Sequence, residues 1–218
     1  MRVAIITPAL LGLVLSGCGQ KQLALPDDPI DRAATCGVVA AAGARAGTSN
    51  IAAPLPFEQQ GKTMHYAMLE ASEGKAFDTT RAAAVVDRMP QLEGNITGGK
   101  WQELAKPCAD AYPATQIATP TLPADTALAR RGCYALGAFL ARALGSQDAA
   151  YGDRLTEYGK MNRALDPKLG ADLAAKGIKS DSDQATELRN TALATMVKAG
   201  QPMAVMTSCL EKFGDKAA

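Results

Sequence analysis

Apolar side chains recur three and four residues apart along most of the chain. From Asp125 onward, Leu128, Gly132, Leu136, Phe139, Leu140 and Ala143 fall on one face at helical spacing. Met64, Ala67, Met68 and Ala71 make a second such stripe, the pattern of a core-facing helix. β-branched residues rarely alternate with polar ones, so strands are not expected. The periodicity predicts helices over 31–47, 57–73, 78–90 and 99–112, and again over 125–145, 147–165, 182–199 and 201–214, with a short irregular or helical piece at 167–178. Asp125, at the end of TPTLPADT, is placed to cap the helix that follows, and the Ser and Asp residues of SDSDQATE (180–187) suit another N-terminus.

The two sets of helices are written around cysteines. With Cys36 laid over Cys133, Ala44-Arg45-Ala46 falls on Ala141-Arg142-Ala143 without a gap. Further on, Gly99 meets Gly200, Cys108 meets Cys209, and Tyr112 meets Phe213. The fold class expected is therefore all-α, with two related four-helix halves in tandem, residues 31–113 and 125–218, joined by a linker at 114–124. Matched positions should meet matched surroundings, with Tyr112 and Phe213 covering the cysteines one turn before them.

The start of the chain follows a different pattern. Val3 to Leu15 is apolar but too short to span a membrane and contains Pro8, while Arg2 precedes it and small residues close it. At Leu15-Ser16-Gly17-Cys18 the sequence resembles the lipobox of bacterial lipoproteins. The resemblance covers only the first twenty residues. It implies a signal peptide at 1–17, cleavage before Cys18, a diacylglycerol on the Cys18 thiol and an acylated amine. Each buried methylene contributes about 0.8 kcal/mol, so three chains would hold the protein firmly on a membrane. Gly19, rather than aspartate, follows the cysteine, which in Gram-negative lipoproteins implies the outer membrane, with the domain facing the periplasm. Residues 18–30, with two prolines and no period, read as a tether.

An oxidising compartment changes how the remaining cysteines are read. Cys36, Cys108, Cys133 and Cys209 are an even set with no CxxC, the usage of disulfides rather than of a metal or redox site. Pairing Cys36 with Cys108 and Cys133 with Cys209 closes each loop inside one half, although a swapped arrangement is equally symmetric. Each bridge would stabilise by about 4–5 kcal/mol in the chain-entropy model. Without Arg2 the chain carries 22 basic and 22 acidic side chains, and nothing like the basic stripe of a nucleic-acid binder.

Catalytic and cofactor motifs are sparse. GNITGGK (94–100) begins like a phosphate-binding loop, but Trp101 stands where Ser or Thr is needed and the preceding pattern is helical, so a turn before a helix is expected. No EF-hand, HExxH or haem motif occurs, and neither metal nor cofactor is expected. His65, the single histidine, has no nucleophile motif beside it and reads as a partly buried or surface helical residue. The balance favours a helical binding module held at the envelope, with another envelope protein or a cell-wall component as partner. The alternative is a small-ligand carrier or enzyme with a pocket between the halves, for which His65, Tyr66, Trp101 and Tyr158, with Lys100, are the candidate residues.

Overall fold

The computed structural model describes residues 23–50 and 52–214, so Cys18 and the stretch expected as a signal peptide lie outside the described residues. Eight α-helices form: α1 (Pro29–Arg45), α2 (Phe57–Glu70), α3 (Thr79–Thr97), α4 (Ala105–Ala111), α5 (Thr126–Leu144), α6 (Asp148–Ala174), α7 (Asp183–Ala199) and α8 (Pro202–Phe213). Among the described residues there is no strand, and no helix is long and apolar enough to cross a membrane. Their starts follow local chemistry. Asp28 accepts from the Asp31 amide, Asp125 from those of Ala127 and Leu128, and Ser182 from that of Ala185, each satisfying donors that a first turn leaves free.

Two helices outrun the sequence pattern, both through a proline. The third was expected to end at residue 90 and the sixth at 165, yet α3 runs to Thr97 with Pro90 inside and α6 to Ala174 with Pro167 inside. An interior proline costs about 3 kcal/mol. Beyond Pro90, however, Leu92 and Ile96 pack with Val38, Val39, Leu104 and Trp101; beyond Pro167, Leu169 is buried in the main core. Each large apolar side chain buried contributes about 1.5–3 kcal/mol, enough to carry the helix past the break. Both prolines sit on the exposed side. The fourth helix is shorter than expected, because residues 101–104 form a tighter 3-10 turn before Ala105. The segment expected as a tether is also partly docked: Leu23 and Leu25 pack against the body, because apolar side chains gain by leaving water.

Each half is organised about its first helix. α1 packs on α2, α3 and α4, and α5 packs on α6, α7 and α8. Disulfides join Cys36 of α1 to Cys108 of α4, with Cα atoms 5.4 Å apart, and Cys133 of α5 to Cys209 of α8, at 5.6 Å. Each half thus has its bridge between its first and fourth helices, but the surroundings of the bridges differ. Tyr112 is buried with its ring edge-on to Tyr66, 5.4 Å between centroids, whereas Phe213 is half-buried beside the Lys212 ammonium. The face expected on α5 is rotated: Leu136 and Leu140 are fully buried, but Ala143 is exposed and Ala129 and Leu144 take part instead.

The halves share one core through α2, which packs against both α7 and α8. Gly61 permits the closest approach, since a methyl group there would fall 2.5 Å from Met203 Cγ. Just before α2, Tyr151 donates to the Leu55 carbonyl at 2.6 Å; after it, Phe77 donates its amide to the Asn190 carbonyl at 3.0 Å and sets its ring against Phe139. The linker is bonded to the body as well: the Gln201 amide donates to the Ile117 carbonyl, and its side chain to that of Thr115 at 2.9 Å.

Candidate functional site

The shared core divides the candidate residues into two groups. Tyr66 of α2 and Trp101, at the start of the 3-10 turn, line one cleft of about 500 Å³. His65 and Tyr158 face the interior instead, and neither lines that cleft. His65 is not partly exposed, as expected, but fully buried. It follows Gly61 by one helical turn and so faces the second half with it. Its Nε2 donates to the Val197 carbonyl at 2.8 Å, one of the carbonyls that the last turn of α7 leaves unpaired. Nδ1 is buried without a partner, and burial brings the imidazole pKa down to about 4. The ring is a structural clasp between α2 and α7. Tyr158 is equally enclosed, its hydroxyl 3.9 Å from Met203 Sδ, and burial pushes its phenol well up. Lys100 sits at the surface, 3.5 Å from Glu103.

The cleft itself is built from the junction of α1, α2, the linker and the start of α8. Gly43 and Ala44 give α1 a low floor, and the Trp101 ring lies across Gly43. Tyr66 is held by the edge-on contact with Tyr112, and burial holds its phenol above the ordinary value, offset in part by the Thr115 hydroxyl. Thr115 is a hub. It donates to the Tyr112 carbonyl at 2.7 Å, takes a bond from the Gln116 side chain at 2.8 Å, and offers its own carbonyl to Gln201. Lys62 and Gln59 of α2 complete the polar wall. A neighbouring cleft of about 460 Å³ shares Lys62 and Gln201 and adds the acidic Glu58 and Glu211. Together they offer aromatic faces, amides that donate and accept, and one ammonium, the materials of recognition.

Sequence reasoning missed Lys62, Thr115, Gln116 and Gln201. The last three belong to the linker and a helix start, where the pattern carries no sign of what they face. The linker's two prolines mark a turn but not a docked one. Of GNITGGK, expected as a turn before a helix, only residues 98–100 form the turn, while 94–97 are the end of α3; among the described residues no His, Cys, Asp and Glu cluster could hold a metal. Fold and site define an all-α protein closed by two intramolecular disulfides. No family model, no curated protein and no solved structure matches the chain.

Proposed function

We propose that this protein is a lipid-anchored binding module of the bacterial envelope, whose partner, an envelope protein or a cell-wall component, docks on the Trp101 cleft, where the first half meets the linker and the start of α8. The observation that carries the reading is the position of Trp101, the chain's single tryptophan, half-buried over Gly43 and beside Tyr66 at the cleft. Aromatic rings flanked by amides supply large contact area at low cost in conformational entropy. The disulfides and the shared core favour a preformed surface, which lowers the ordering cost of binding. The lipobox at Leu15 to Cys18 supports the anchor, and Gly19 the outer membrane. We read the common placing of the bridges, first helix to fourth in each half, as a tandem repeat in which one half has diverged.

Affinity capture from the native envelope, with the lipidated protein as bait, tests the binding role. One stoichiometric partner is expected with the wild type, and a loss of about tenfold or more with Trp101→Ala, the scale of an aromatic anchor. Equal capture by the variant removes the cleft from the reading. For the anchor, mass spectrometry should find Cys18 diacylated, and Cys18→Ser should leave an uncleaved or released chain. An unmodified Cys18 thiol in the wild type rules the anchor out.

A further inference from the structure

A third cleft, of about 370 Å³, lies wholly within the second half between α5, α6 and α7. Its origin is visible in a pair of adjacent arginines on α5, which helical geometry turns in different directions. Arg130 reaches Asp172 at 2.8 Å, and the two charges cancel. Arg131 is turned inward, only 8% exposed, and among the described residues it forms no ion pair or hydrogen bond; its Nη2 is buried without a partner. An unpaired guanidinium is strongly unfavourable in a folded interior, so its retention calls for a reason. One turn along α5, Tyr134 faces the same cleft, as do Arg189 from α7 and Asp166 from α6.

We propose that this cleft binds a small organic monocarboxylate, with the carboxylate held by Arg131 and Arg189 and the apolar body laid on Leu169 and Leu173. Charge selects the class. Two guanidiniums against one carboxylate leave a single positive charge to neutralise, which suits a monoanion, while Asp166 repels a dianion such as phosphate. Geometry agrees, because a planar carboxylate matches the guanidinium fork. Pro167, Leu169, Leu173 and Ala185 supply the apolar part of the wall, with Ser180 at its edge, and the volume lies in the lower range of small-molecule sites. The Tyr134 phenol is kept protonated, held above its ordinary value by burial and by Asp166, and so remains a donor. Nothing in the proposal depends on the Trp101 cleft.

The test is calorimetric titration of the intact chain, in detergent, with 4-methylpentanoate, its neutral amide and inorganic phosphate. Saturable binding of the carboxylate is expected, with the amide and phosphate each weaker by about tenfold or more, the scale of a charge-assisted pair. Arg189 is exposed, so Arg189→Gln should fold normally and weaken the carboxylate by about tenfold. Arg131→Met should abolish the preference for carboxylate over amide without lowering the melting temperature. Equal affinity for acid and amide, tighter binding of phosphate, no saturable carboxylate binding, or an unaffected Arg189→Gln would each overturn the proposal.

Discussion

His65 and Gly200 show how much a single position can hold. With Nε2 committed to Val197, a proton on Nδ1 would place a charge where no acceptor waits. The folded pKa of about 4 lies below the ordinary 6.5, so the neutral ring stabilises the fold fully above pH 6.5. That stability drains as the pH falls from 6.5 towards 4, by about 3 kcal/mol in all. Denaturant unfolding of the wild type and His65→Leu should therefore converge over this interval. A difference between them that does not change with pH would show that the ring is not the cause. Gly200 sits at φ +154°, and a methyl group there would lie 2.8 Å from the Ile117 carbonyl oxygen. Gly200→Ala should cost about 2 kcal/mol or more, by strain and by loss of the linker's docking. Gly145→Ala is the control: that residue is in right-handed helical conformation with nothing within 4 Å, and a thermal melt should move little or upward.

Among the elements, α2 carries the largest burden, since it completes the first half and also packs against the second. Its last residue, Glu70, is only 2% exposed and is neutralised by Arg81 from the first turn of α3, which also donates to the Glu70 carbonyl at 3.3 Å. Burial, helped by the same carboxylate, pushes the nearby Tyr112 phenol up to about 12. Arg81 is half in water, which moderates the pair's net value, but removing it leaves a buried anion. Arg81→Ala should destabilise by about 2 kcal/mol, and adding Glu70→Gln should recover much of that loss. If the double variant is as unstable as the single one, the pair is not what holds α2 to α3. At the start of α5, Asp125→Ala should cost about 1 kcal/mol in a urea titration, because two amides lose their acceptor.

At the scale of the whole molecule, two disulfide loops are merged into one cooperative body. Each bridge spans more than seventy residues, and the chain-entropy model gives about 4 kcal/mol for such a loop. Cys133→Ser with Cys209→Ser should lower unfolding stability by roughly that amount. Because the core is continuous from α2 into α7 and α8, the wild type should still melt in one transition, with calorimetric and van't Hoff enthalpies equal. Two separate transitions would mean that the halves are independent domains joined only by a linker.

Helix identity, the cap at Asp125 and a helix start within SDSDQATE were legible in the sequence, because each rests on neighbours in the chain. The pairing of Cys36 with Cys108 and Cys133 with Cys209 was favoured over an equally symmetric swap because it closes each loop within one half. Helix length was not. The periodicity ended at 90 and 165, yet α3 and α6 run on through Pro90 and Pro167, because Ile96 and Leu169 are buried against distant side chains. The candidate residues divided for the same reason. Tyr66 and His65 are neighbours on α2, yet one helical step turns Tyr66 towards a cleft and His65 into the seam between the halves. Local sequence sets which face a side chain shares. What that face meets is decided by the packing of segments more than a hundred residues apart, and that lies beyond any local pattern.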